Sequence, residues 1–179
     1  MNPELEKMLG LSLVKLQPGR RNGLVYFFIN DLNNVPKLIT NLRETAKADE
    51  RFKDYSIESI SVPQDFLPEG ASSSFCTDFV DYANKVVSDK KLLIIQNIED
   101  YFLRIGTKLL KKESLKKDEA EIVQETAGMI LDGCRESIHK SLKQPIGLIF
   151  TNKNGLTDRI INLDAYTWAV GKFYLEEHY

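Results

Sequence analysis

Histidine and cysteine are nearly missing from this chain: His139, His178, Cys76 and Cys134 are all that occur in 179 residues. His139 falls in a helical pattern and His178 near the last residue, so no Cys-His dyad, zinc set or serine triad has enough parts. The serines of "ASSSFC" have no base near them in sequence and read as caps for the helix that follows. The cysteines show no Cys-x-x-Cys spacing, and "MNPELEKMLG" lacks the charged start and apolar run of a signal peptide. A reducing, cytoplasmic setting is therefore expected. No apolar run approaches the roughly 20 residues that span a bilayer, so no membrane partner is expected. An excess of one charge is missing as well. Lysine and arginine total 24 against 26 acids, a net charge of -2; this excludes a molecule that is a polycation as a whole and leaves room only for a local basic patch. Internal repeats and low-complexity tracts are also absent.

What is present is a large apolar fraction, 42% hydrophobic beside 28% charged, enough for one globular core. Residues 1–22 carry a short apolar pattern and then "QPGRRNG", punctuated by Pro18, Gly19 and Gly23, and read as a lead-in segment and turn. A single α/β domain is expected over 23–179. "GLVYFFIND" is the continuous apolar and aromatic run of a strand buried on both faces. Val35, Leu38, Ile39 and Leu42 then recur at helical spacing, with Asn33 or Asn34 as a cap and Pro36 in the first turn. "YSIESISVP" reads as a second strand closed by Pro63. Phe75, Phe79, Tyr82, Val86 and Val87 make the next helix, Leu92 to Ile98 the third strand, and Glu99 to about Lys112 a further helix. After a second helical pattern over 122–142, "IGLIFTN" is the fourth strand. Leu163, Trp168, Val170, Phe173 and Leu175 suggest a closing helix. The alternation predicts an α/β three-layer sandwich, with a mostly parallel sheet of four to five strands flanked by helices, because parallel neighbours need long, right-handed crossovers.

Glycine is missing where a nucleotide-binding fold would need it most. After the first strand comes "INDLNNVPKLITN", with no G-x-G-x-x-G and no G-x-x-x-x-G-K-[ST]. Without glycine the backbone amides cannot wrap closely around phosphates, and Lys37 alone cannot replace them. Asp31 could be taken as an acidic pocket residue, but no second early carboxylate supports it. The third strand shows a matching gap. "KLLIIQNIEDYF" ends its apolar run in Gln96 and Asn97, and its acids, Glu99 and Asp100, come late. An amide holds magnesium far more weakly than a carboxylate.

The order of these elements resembles the core of the AAA+ and related RecA-like ATPases over most of 23–162. "KLLIIQNIEDYF" stands where the Walker B strand would be, and "PIGLIFTNKNGLTDRI" where the sensor-one strand would be. The resemblance implies a P-loop-NTPase-like scaffold lacking Walker A and Walker B residues. Gln96 and Asn97 occupy the acidic positions, and Thr151 and Asn152 look like the sensor pair. It also implies that Arg159, beyond the sensor strand, could act in trans on a neighbouring subunit's nucleotide; an exposed arginine near Asp158 or Asp164 is the plainer alternative. Glu99 and Asp100 are expected to open the next helix, complementing its free amides, with displaced metal ligands as the other reading. A Rossmann-like or receiver-like domain would show the same alternation.

Two surfaces remain. Arg104, Lys108, Lys111, Lys112, Lys116 and Lys117 could neutralise phosphates of DNA or RNA, although Glu113, Asp118, Glu119 and Glu121 among them suit a solvated face; Arg20 and Arg21 form a smaller cationic turn. Tyr166, Trp168, Phe173 and Tyr174 offer aromatics suited to a protein interface. The expectation is a non-catalytic, cofactor-free subunit that binds other proteins, in an assembly such as one that handles nucleic acid or acts in defence. A nucleic-acid-binding accessory protein using 104–117 and an α/β enzyme of unrecognised type are the alternatives.

Overall fold

The computed structural model describes residues 2–16, 24–63, 75–86, 90–101, 104, 145–151 and 171–179. Helix α1 (Pro3–Lys15) starts with Asn2, whose side chain accepts from the Glu4 amide at 2.9 Å, and with Pro3 in its first turn. Both features suit a helix N-terminus. Leu5, Leu9 and Leu13, four residues apart, are buried, so the segment read as a lead-in contains a helix that packs on α2, β1 and β5.

Five parallel strands follow: β1 (Leu24–Ile29), β2 (Ser56–Ser61), β3 (Lys91–Gln96), β4 (Ile146–Thr151) and β5 (Gly171–Tyr174). They lie in the order β2-β3-β4-β1-β5. Neither the 3-2-1-4-5-6 order of dinucleotide-binding sheets nor the 2-1-3-4-5 order of flavodoxin-like ones is compatible with this. From β1 the chain passes through helix α2 (Val35–Lys47) to the far edge at β2, then returns through helix α3 (Phe75–Val86) to β3. The two crossovers run in opposite directions, so right-handedness puts α2 and α3 on opposite faces of the sheet.

Alternation along the strands sorts the core. Val25, Phe27 and Ile29 join Leu92, Ile94 and Ile149 under α1 and α2. Tyr26, Phe28, Leu148 and Phe150 are equally buried and point the other way. On that second face Phe28 stacks between Phe150, at 5.7 Å, and Tyr174, at 4.9 Å, so one aromatic row crosses β4, β1 and β5. Gly147 serves the first face. A Cβ there would lie 2.7 Å from Ile94 Cδ1 and 2.9 Å from a Phe27 ring carbon, so its bare backbone makes room for both side chains.

Two readings of the sequence need correction. The closing segment is not helical at its end, because Gly171–Tyr174 is a strand paired with β1. Phe173 and Leu175 fit helical spacing, but they fit the two-residue period of a strand as well, and a free edge beside β1 decides between them. The third strand also stops at Gln96 rather than Ile98, since Asn97 turns the chain with φ at 58°. Asparagine tolerates this left-handed conformation better than most residues.

Candidate functional site

In open parallel sheets ligands sit beyond the carboxyl ends of the strands, where neighbouring connections leave in opposite directions. Here that point lies between β1 and β4: the chain leaves β1 towards β2 and leaves β4 towards β5. The ends of β3, β4 and β1 are therefore the place to look.

At the end of β1 the chain closes on itself. Leu175 donates its amide to Phe28 O at 2.8 Å, continuing the ladder past β5. A turn over 176–178 then brings the Tyr179 main-chain oxygen to the amides of Asn30, at 3.0 Å, and Asp31, at 3.3 Å. The Asn30 side chain donates to Glu176 O at 2.7 Å. Tyr179 itself is buried, with its hydroxyl accepting from Asn41 of α2 and its ring 5.5 Å below the Lys37 ammonium. Burial pushes the Tyr179 phenol above its ordinary value, opposed by the Asn41 hydrogen bond and reinforced by the nearby Glu44 charge. Lys37 is thus aimed at an aromatic face. Asp31 is an exposed cap: its carboxylate accepts from the Asn33 amide at 2.9 Å and from the Asn33 side chain at 3.2 Å, fixing a 3-10 turn (Leu32–Asn34) ahead of α2. Asn34, one of the two asparagines expected to cap α2, is its N-cap residue but makes no side-chain cap bond, while Asp31 caps the 3-10 turn before it.

At the ends of β3 and β4 the late acid is accounted for. Asn97 bends the chain, its carbonyl accepts from the Tyr101 amide at 3.2 Å, and residues 98–101 are helical. Glu99 is then turned inward, only 5% exposed, and its Oε2 accepts from the Thr151 amide at 3.0 Å and from Thr151 Oγ1 at 2.7 Å. Its role goes beyond that of a solvated first-turn acid, because it ties the end of β3's connection to the end of β4. Asp100 in the same turn is exposed. Gln96 and Asn97 are half-buried. Among the described residues no group of three His, Cys, Asp or Glu could hold a metal ion.

Of the other candidates, Arg104 donates to Asp100 O and to Pro63 O, both at 3.2 Å, so it ties the first turns of its helix to the segment following β2. Phe173 belongs to the core and Tyr174 is 46% exposed. Lys108, Lys111, Lys112, Lys116, Lys117, Asn152, Arg159, Tyr166, Trp168, Arg20, Arg21, Cys134 and His139 lie outside the described residues, as does most of the helix expected from Glu99 to Lys112. Among the described residues no helix is long and apolar enough to cross a membrane.

Sequence reasoning missed the two closures described here. Glu99 carried a signal, since an acid directly after a strand and a left-handed turn can face either way. Tyr179 carried none, because nothing local links it to Asn30. No protein-family model matches the chain, and no curated protein matches it.

Proposed function

We propose that this chain is a non-catalytic α/β subunit, built on an ATPase-like core, that works by binding other proteins and uses no cofactor. One observation carries the reading: the Asn30 and Asp31 amides, which follow β1 where a phosphate would need free donors, are held by the chain's own Tyr179 oxygen. Two further features support it. β3, β4 and β1 are consecutive in the sheet, as the resemblance requires of strands whose ends would face one nucleotide. The carboxyl group of Glu99, which follows β3, is committed to Thr151. A core of this kind keeps the shape of a phosphoryl-transfer scaffold while its donors and acid serve internal structure.

Isothermal calorimetry with ATP, with and without magnesium, tests this. No heat of binding is expected up to millimolar nucleotide. Binding in the micromolar range would overturn the reading.

A further inference from the structure

Among the described residues the sheet ends on one side at β2, and this edge is finished differently from the strand ends. β2 pairs only with β3 among the described residues. Its outward main chain is met by two side chains: Arg43 Nε of α2 donates to Ile57 O at 2.9 Å, and the Tyr82 hydroxyl of α3 donates to Ser61 O at 3.3 Å. By the two-residue period Ser59, midway between them, turns its N–H and C=O outward too, and no partner meets them among the described residues. An edge of this kind is a template for one more strand. Arg43 is exposed and its bond to Ile57 O is part-buried, a side-chain contact that an incoming amide would have to displace.

Beside the first half of β2 opens a cleft of about 340 Å³. Phe52, fully buried, and Tyr55 give it an apolar floor, and Arg43, Lys47 and Lys53 surround it. Its lining holds one carboxylate, Glu58, which is paired with Lys91 at 2.9 Å. Lys53 is paired with Glu50 at 2.6 Å, which leaves Arg43 and Lys47 against one already neutralised acid. The two cations favour an anionic visitor, and a row of main-chain groups alongside favours a polypeptide.

We infer that the β2 edge takes an extended acidic segment of a partner protein as a sixth strand, with an apolar side chain over Phe52 and Tyr55 and acidic side chains at Arg43 and Lys47. The inference rests on the proposed role as a protein-binding subunit and gives that role a surface. On docking, the partner's amide replaces Arg43 at Ile57 O, and the released guanidinium pairs with a partner carboxylate.

The test is selection of a displayed random dodecapeptide library on the whole chain, followed by fluorescence anisotropy of the enriched peptides. Enrichment in Asp and Glu alternating with apolar residues is expected. Two variants should each weaken binding at least tenfold: Ser59→Pro, which removes an outward donor without touching the β3 ladder, and the double change Arg43→Glu, Lys47→Glu. Circular dichroism and thermal melting show whether each variant is folded, and amide exchange on the unmodified chain should show Ser59 protected by the peptide. Enriched peptides without acids, no enrichment at all, binding unaffected by folded Ser59→Pro, or displacement of the peptide by a (dT)12 oligonucleotide would each overturn the inference. Loss of peptide binding with ATP still unbound removes this inference alone, whereas micromolar ATP binding removes the subunit reading whatever the peptides do.

Discussion

The carboxyl ends of β3, β4 and β1 and the outer edge of β2 present the same problem, main-chain donors and acceptors left over by the sheet, and meet it in opposite ways. At the strand ends the partners come from remote parts of the chain: the buried Tyr179 reaches the exposed Asn30, and Glu99 reaches Thr151 in a buried bond across 52 positions of sequence. At the edge the partners are the side chains of Arg43 and Tyr82, and Ser59 has none among the described residues. A buried bond is hard to exchange, since breaking it strands a polar group away from water. An exposed one is readily replaced. The strand ends are therefore tied off by the chain itself, and among the described residues the main chain left without a partner at Ser59 lies on the β2 edge.

Tyr179→Ala should have the largest effect, because it makes the closed end resemble the open one. Truncating a buried aromatic of this size costs about 3–5 kcal/mol, read from urea unfolding. Amide exchange at Asn30 and Asp31 should accelerate towards the rate of the exposed edge. Unchanged protection at those two amides would mean that the buried ring is not what holds the Tyr179 oxygen against them.

Glu99→Ala comes next. It removes the acceptor for both Thr151 donors and should cost about 2–3 kcal/mol, the range for hydrogen bonds to a charged group plus a stranded amide. Glu99→Gln keeps an acceptor oxygen and should cost less than half as much. If Glu99 instead waited for a cation, magnesium would stabilise the unmodified chain and not the alanine variant, a difference that thermal melting with and without the ion would expose.

Gly147→Ala brings the contrast into the core. The new methyl would meet Ile94 at 2.7 Å and Phe27 at 2.9 Å, and overpacking of this kind costs about 1–3 kcal/mol. Pairing it with Ile94→Val should recover part of the loss, since the shorter side chain vacates the space. A fully additive double variant would show that the two sites do not share a cavity.

The layered architecture and four of the five strands were legible in the sequence because buried parallel strands leave long aliphatic runs that little else produces. "LVYFFI", "KLLIIQ" and "IGLIFT" are such runs. β5 was not, because four residues are too few to separate a period of two from one of 3.6, and the pairing with β1 that stabilises them is non-local. α1 was legible in principle: Asn2, Pro3 and the leucines at 5, 9 and 13 carry a cap, a first-turn proline and a helical stripe. The missing phosphate-binding glycines could be read directly, since an absent residue type needs no fold to interpret it. What replaced them could not, because the Tyr179 oxygen and the Glu99–Thr151 bond join segments that only the finished sheet brings together.

The smallest effect belongs to the loop leading into the open edge. Asp49 accepts from the Arg51 side chain and from its amide, at 3.0 Å, and the Arg51 side-chain hydrogen bonds, followed by the backbone bond, hold its carboxyl at about 2, below the ordinary 3.8. A carboxyl group whose value is depressed by folding stabilises the native state above its unfolded value and loses that contribution as pH falls through the folded one. The window for Asp49 therefore runs from about pH 4 down to about pH 2. The pair is exposed and screened by solvent, so Asp49→Asn should lower stability only slightly at neutral pH. The difference from the unmodified chain should shrink across that window and vanish at its foot. A carbon-detected NMR titration of the Asp49 carboxyl gives the midpoint directly. A value at or above 3.8 would mean that the Arg51 clasp does not persist in solution, and would make this loop as loosely held as the edge it leads into.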